Sequence, residues 1–322
     1  MSNLLIVIPS YNDWEALELL LPIIDNFLIL NKLNGSILII DDASTIPLNQ
    51  ESLCQDFQAI DRVDILKLRR NLGHQRAIAI GLAYAEAQCS QDFVIVMDAD
   101  GEDDPYGIEK LLEQYYQSEE TKIIFARRSQ RSESNTFRFF YALYRWIYRI
   151  LTGKEISFGN FSLIPRSLLH QLVVVSEIWI HYASGTIKSR LPLAEVDIPR
   201  NRRLVGKSQM NFVSLVSHGL SSIAIYGDVV GTRLLIATSF VIVLCAILIA
   251  VVVAIRLGTT LATPGWATTA VGVLTILMVQ SGLTLVVFSL VILANRNGFN
   301  FIPCRDYSIF ILDLIKVFPK SY

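Results

Sequence analysis

Residues 93–102 read FVIVMDADGE, and this stretch decides how the rest of the chain is read. Phe93, Val94, Ile95, Val96 and Met97 form a short apolar run with the length and β-branched content of a buried strand. The run stops abruptly at Asp98 and Asp100, with Asp103 and Asp104 close behind. In an open α/β sheet, ligands bind at the carboxyl ends of the strands. Two carboxylates one residue apart at such an edge are hard oxygen donors. They suit Mg²⁺ or Mn²⁺, ions that take one or two protein carboxylates and leave positions for substrate phosphates. The same residues also read as an acidic helix cap before Pro105, because Asp favours caps and Pro the first turn. The motif alone leaves both readings open.

Outward from this stretch, apolar runs alternate with helical patterns. Residues 4–8, 36–40, 63–68, 93–97 and 122–126 read as strands, and 14–30, 51–60, 75–87 and 106–118 as helices. That rhythm predicts an α/β fold with a mostly parallel sheet covered on both faces. Polar clusters follow the first four strands: Pro9-Ser-Tyr11-Asn12-Asp13, Asp41-Asp42-Ala43-Ser44, Arg69-Arg70-Asn71-Leu72-Gly73-His74-Gln75, and the acidic motif itself. Each alone is ordinary turn chemistry. Four in order at one sheet edge describe a nucleotide crevice.

Composition separates a second part. The 322 residues have a mean hydropathy of +0.44 and 52% hydrophobic residues, and the excess is local. Residues 234–255 and 270–294 carry no charge, and each is long enough to cross a bilayer core of about 30 Å. Between them lies a short connection holding Gly258, Pro264 and Gly265, so a transmembrane hairpin is expected within 231–296. Met1-Ser-Asn3 is not basic and 4–8 is too short for the apolar region of a signal peptide. The catalytic part, about 1–210, is therefore expected in the cytoplasm, with a tail over 297–322 on the same side. Arg203, Lys207, Arg233 and Arg296 flank the apolar segments there, against Arg256 in the connection, as the positive-inside rule requires. The four cysteines and four histidines are scattered, without metal or redox spacing.

The net charge of −1 hides an asymmetry: residues 1–121 carry −14 and residues 122–207 carry +10. A basic half beside apolar segments suits phosphates or anionic lipid headgroups, or is solvated surface charge. Residues 135–151, NTFRFFYALYRWIYRIL, place Arg138, Arg145 and Arg149 at helical spacing among aromatics. This reads as an amphipathic helix in the membrane interface, with an inward-packed core helix as the alternative. A juxtamembrane helix is expected over 211–230. Gly272, Ser281 and Gly282 permit close helix packing, as in a homo-oligomer. No nucleic-acid partner is expected.

The motifs together resemble the inverting family-two glycosyltransferases of GT-A fold. IPSYND is similar to their V-P-x-Y-N-E, DDAS to D-D-G-S, and DAD to D-x-D. RRNLGHQRAIAIGLAYA resembles the R-N-x-G-x-x-x-A segment of the polyprenyl-phosphate branch, which includes dolichyl-phosphate mannosyltransferases and bactoprenol glucosyltransferases. The resemblance covers about residues 4–210. It implies that Pro9, Tyr11, Asn12, Asp41, Asp42 and Gln75 line the nucleotide, with Asp98 near ribose and diphosphate. It also implies Asp98, Asp100 and Glu102 as ligands of Mg²⁺ or Mn²⁺. Pro199 to Ser208 (PRNRRLVGKS) resembles the basic R-x-x-G-x-S segment before the membrane part of these enzymes. Arg127, Arg138, Arg200, Arg202 and Lys207 are the candidates for gripping a lipid phosphate and a leaving diphosphate, because guanidinium pairs phosphate bidentately. Juxtamembrane anchoring explains the same cations without catalysis.

The implied activity is transfer of a monosaccharide from a nucleotide sugar, a UDP-sugar such as UDP-glucose, to polyprenyl phosphate at a membrane. A transferase acting on another lipid hydroxyl and a degenerate subunit of a sugar-export system are the alternatives. Four positions depart from the pattern: Ala43 for Gly, Gly101 and Glu102 for Leu-Gln, and Asn160 where relatives often carry Asp. Ala43 makes positive φ costly in its loop.

Overall fold

The structure is a computed structural model that describes residues 3–53, 55–128, 145–154, 158–206, 212–259, 265–296 and 301–319. The chain divides into two compact units, one of 1–143, 155–225 and 300–322, the other of 144–154 and 226–299.

The first unit is built on an eight-stranded sheet. Its strands are β1 (Asn3–Ser10), β2 (Asn34–Asp41), β3 (Ile60–Leu68), β4 (Phe93–Val96), β5 (Ile123–Arg128), β6 (Phe158–Pro165), β7 (Leu193–Ile198) and β8 (Ile311–Phe318), in the order β7-β5-β6-β4-β1-β2-β3-β8. The centre, β4-β1-β2-β3, is parallel, as is β5-β7, while β6 runs antiparallel between β4 and β5 and β8 antiparallel on β3. Alternation along β1 shows why its sequence is apolar throughout. Leu4, Ile6 and Ile8 enter one core with α1 (Trp14–Asn31) and α4 (Gly107–Gln117). Leu5 and Val7 enter the other with α3 (His74–Gln88). A strand covered on both faces reads as a continuous hydrophobic run. Helix α3 crosses this sheet at Gly81, where an added Cβ would lie 2.6 Å from Val7 Cγ1 and 2.9 Å from Ile40 Cγ1.

Two expectations change. The helix expected over 51–60 is only α2 (Gln50–Leu53), and β3 begins at Ile60. The cause is Asp25, buried on α1. Its carboxylate accepts from the N–H groups of Gln58, Ala59 and Ile60 at 2.9–3.2 Å, the donors a continuing helix would spend on its own carbonyls. The segment 297–322, expected as a tail with its packing on the catalytic part or the membrane left open, supplies β8. Lys316 stands opposite Asp64 in the ladder, and Arg69 is tied to this segment by its own N–H to Phe310 O and its side chain to Ile311 O.

The second unit contains a helix over 145–152 and two long helices, Gly227–Gly258 and Trp266–Arg296. Both long helices are long and apolar enough to cross a membrane. Their apolar side chains face outward, with Phe240 at 68% and Ile236 and Ile276 at 66% exposed, the inverse of a water-soluble core. They approach closely at Gly231, where a Cβ would meet Ile292 at 2.6 Å. In helix 145–152 Tyr148 is buried against Tyr226, Trp146 is exposed, and Arg233 donates to the carbonyl of Ile150. Arg138 and the rest of 135–144 lie outside the described residues. Helix Phe212–Ala224 occupies much of the expected juxtamembrane segment.

Candidate active site

Strands β1 to β4 run parallel, so the four polar clusters that follow them emerge at one edge of the sheet. The side chains there do two different jobs.

On the β1–β2–β3 side they stitch loops together. Asn12, itself at φ +60°, accepts through Oδ1 from the N–H of Thr45 (2.8 Å) and Ile46 (3.0 Å), and its own N–H donates to Ser44 Oγ at 2.9 Å. Asp41 Oδ1 accepts from Ser44 N–H at 2.8 Å. Asp42 is buried and divides its carboxylate between the N–H groups of Leu72 (2.7 Å) and Gly73 (2.8 Å), closing the β3–α3 loop onto β2. Burial raises the Asp42 carboxyl above its ordinary value against the pull of these two donors. Ala43 stands at φ +58°, the left-handed conformation that the sequence pattern reserves for Gly. Of the expected nucleotide set, Pro9 is buried within β1 and Tyr11 is exposed at the rim. Gln75 accepts from Tyr182 N–H at 2.6 Å and donates to Asn160 Oδ1 at 3.3 Å. Most of this set builds the crevice wall.

On the β4 side the side chains pair charge with charge. Asp98 Oδ1 lies 3.1 Å from His74 Nε2. Asp100 Oδ2 accepts from Arg203 Nη2 at 2.7 Å, while its Oδ1 accepts from Glu102 N–H at 2.9 Å. Glu102 pairs with Arg200 and stands 3.8 Å from Arg203 Nε. The alternative cap reading is not met, because α4 has no side-chain cap: Asp103 accepts from Asp98 N–H instead, and Asp104 from Tyr106 N–H ahead of the first turn. Desolvation pulls the His74 imidazole down, but Asp98, with Asp103 and Asp100, outweighs it and holds the group above its ordinary value. Burial pushes the Asp13 carboxyl up beside the same cluster, against Arg203. Asn160 Nδ2 lies 3.0 Å from His74 Nε2, so this departure from Asp sits directly beside the acidic loop. A pocket opens there, lined by Glu102, Asn160, Phe161, Pro199 and Arg200.

Among the described residues no group of three His, Cys, Asp or Glu side chains is placed to hold a metal ion by itself. The set expected at Asp98, Asp100 and Glu102 is not assembled, because Asp98 faces the His74 imidazole, Asp100 faces Arg203 and Glu102 faces Arg200. A divalent ion of this class is commonly held by one or two carboxylates with substrate phosphates completing the shell. Asp100, 8% exposed at the sheet edge with a cation already on Oδ2, fits that role.

The expected basic set divides. Arg200 joins the acidic loop. Arg127 does not: its guanidinium pairs with Asp197 across β5–β7, Nε to Oδ1 at 2.6 Å and Nη2 to Oδ2 at 2.8 Å. Arg202 is exposed, with no ion pair among the described residues. Lys207 and Arg138 lie outside the described residues. Arg203, His74 and Asp13 are site residues that sequence reasoning missed. Arg203 was signalled only as one of several arginines in a run, and His74 as one polar residue in a turn.

Residues 5–173 match the family described as Glycosyl transferase family 2. An uncharacterized glycosyltransferase of Bacillus subtilis, YkcC, is 26% identical over 246 residues, covering 70% of this chain and 71% of its own. The bactoprenol glucosyl transferase of Shigella phage SfV is 28% identical over 179 residues, 53% of this chain and 55% of its own, so the chain spans about half of that relative. Among solved structures, the glucosyl-3-phosphoglycerate synthase of Mycobacterium tuberculosis, in complex with Mn²⁺, UDP-glucose and phosphoglyceric acid, superposes with a TM-score of 0.51. It is 15% identical and covers 71% of this chain and 80% of its own, a likeness of GT-A fold.

Proposed function

Because the chain belongs to glycosyl transferase family 2, we propose that this glycosyltransferase moves a monosaccharide from a UDP-sugar, UDP-glucose foremost, to polyprenyl phosphate with inversion. The observation that carries this reading is the acidic loop at the sheet edge, with Asp100 and Glu102 facing Arg203 and Arg200. That is a site of mixed charge suited to a diphosphate and its cation. The relatedness to bactoprenol glucosyl transferases supports the acceptor, and the Mn²⁺ and UDP-glucose of the similar fold support the donor.

Asp100, with Glu102 beside it, would hold Mg²⁺ or Mn²⁺, whose bound charge would neutralise the diphosphate and make it a better leaving group. The residues of the chain account for the remaining demands. Tyr11 presents an aromatic face at the crevice rim for the base. Asp42 and Asn12 fix the loops around it. The acceptor phosphate monoester, with a second pKa near ~6, is largely dianionic at neutral pH and has no proton to give up. One of its oxygens forms the bond to the anomeric carbon while the bond from that carbon to the diphosphate oxygen breaks, and the electron pair leaves on UDP. Positioning by cations then matters more than a general base. Arg200, Arg202 and Lys207 are the acceptor-side and leaving-group cations of this scheme, with Arg138 at the lipid surface.

The two long apolar helices support an integral membrane protein. The flanking arginines favour the catalytic unit on the cytoplasmic face. Residues before and after the helix pair share one sheet, which supports an even number of crossings between 225 and 300. The test is transfer of radiolabelled sugar from a panel of nucleotide sugars to undecaprenyl phosphate, with and without Mn²⁺ or Mg²⁺. Metal-dependent labelling of the lipid, lost in Asp100→Asn, is the expected result. Absence of labelling with every donor, in protein that binds UDP, sinks the acceptor.

A further inference from the structure

Residues 199–204 lie folded onto the acidic loop. Two backbone hydrogen bonds set their register, Asn201 N–H to Glu102 O at 2.9 Å and Leu204 N–H to Asp100 O at 3.0 Å. Two ion pairs lie across them, Arg200 with Glu102 and Arg203 with Asp100. Leu204 closes the contact over Gly101. That glycine stands at φ +75°, and a Cβ there would lie 2.4 Å from Leu204 Cγ, so a side chain at 101 would lift the segment off. The positions that build this contact are the two where the sequence departs from the commoner Leu-Gln. Gly101 admits Leu204, and Glu102 gives Arg200 a charge that Gln would not.

We propose that this segment is a charge-exchange latch: Arg203 and Arg200 neutralise, in the substrate-free protein, the carboxylates that a divalent cation takes when the donor diphosphate binds, so that cation and nucleotide enter together. The inference rests on the donor site proposed above and adds the order of its filling. The Asp100 and Arg203 side chains are 11% and 22% exposed, so neither charge is well hydrated and each needs a counter-charge. A divalent cation arriving alone would displace two guanidinium groups from their carboxylates and leave them beside its own positive charge. A diphosphate arriving alone would meet carboxylates at close range. Arriving together, the cation takes the carboxylates and the diphosphate takes the arginines, which pair phosphate oxygens through two N–H groups. The backbone hydrogen bonds can persist throughout, so the exchange needs side-chain rotation only.

The experiment is equilibrium binding to the full-length chain in detergent micelles. Mn²⁺ binding is read by loss of the free-ion paramagnetic resonance signal, and UDP binding by calorimetry, each alone and together. For the wild type, UDP is expected to tighten Mn²⁺ by about 10-fold or more, and Mn²⁺ to tighten UDP by the same factor. Arg203→Gln should tighten Mn²⁺ alone by about 10-fold and reduce the coupling. Glu102→Gln, which keeps the side-chain shape and releases Arg200, should tighten UDP in the absence of metal. The latch is overturned if Arg203→Gln takes up Mn²⁺ no more tightly than wild type, or if Glu102→Gln binds metal-free UDP no more tightly. UDP failing to bind the wild type at any Mn²⁺ concentration, while Arg203→Gln gains Mn²⁺, supports the latch and sinks the donor assignment.

Discussion

The two halves of the crevice are held by different forces. On the β1–β2–β3 side, carboxylate and amide oxygens of Asp42, Asp41 and Asn12 accept from backbone N–H groups. Those partners are fixed, and the loops cannot release them without partial unfolding. On the β4 side, Asp98, Asp100 and Glu102 face His74, Arg203 and Arg200, and another ion of the right charge replaces such a partner without disturbing the backbone. The first half is shaped before any ligand arrives; the second is exchangeable. Substitutions in the first half should therefore act mainly on stability, and those in the second mainly on ligand binding and turnover.

The largest expected effect is at Asp100. Asp100→Asn should lower transfer by about 100-fold or more, the scale of losing one charge-stabilising group, with a loss of stability smaller than that of first-half substitutions. A comparable loss of Tm would erase the distinction between the two halves. Asp42→Ala should do the opposite first. It strands the N–H groups of Leu72 and Gly73, each costing about 1–3 kcal/mol, so chemical denaturation should show about 2–6 kcal/mol of destabilisation. Asn12→Ala should be milder, about 1–2 kcal/mol, because part of its loop is solvated and Thr45 and Ile46 can turn to water. Its sharper signature would be a raised KM for the nucleotide sugar. Arg127→Ala removes an exposed pair with Asp197 and should leave transfer kinetics within error, in contrast to Arg203→Gln. The smallest effect lies outside both halves. Arg305 and the N–H of Ile302 hold the Asp306 carboxyl down at about 2. This stabilisation is complete above the ordinary value of 3.8 and is lost as pH falls towards 2. Acid titration of wild type and Asp306→Asn should therefore converge at the acid end.

The contrast between the halves also explains what was legible in the sequence. The first five strands were, because burial on both faces leaves apolar runs such as those of β1, β2 and β4, whereas β6, β7 and β8 were not. The acidic motif was, because its charges are contiguous. The left-handed turn at Ala43 was not, because Ala there makes positive φ costly and yet the residue stands at φ +58°. What stayed hidden depends on partners distant along the chain. Asp25 ends a helix expected some 30 residues later by taking its N–H groups. His74 meets Asp98 only because α3 starts at the edge where β4 stops. Composition does not say which arginine of Arg200, Arg202 and Arg203 faces the acidic loop, since that follows from the hydrogen-bond register of Asn201 and Leu204. The roles assigned to Arg127 and Gln75 shifted for the same reason: a polar residue at a sheet edge looks the same in sequence whether it faces a ligand or a neighbouring strand.

The position of β8 has a consequence for how the protein is made. The strand that covers β3 is synthesised only after both long apolar helices. Until then β3 presents a row of unpaired peptide groups, the kind of edge that recruits other chains. Completion of the sheet therefore waits until both long helices have been made. A truncation after the second helix would leave that edge permanently bare. Strand β8 acts as a seal that the chain applies only after its two long apolar helices have been built, which is a demand on the order of synthesis rather than on the stability of the finished fold.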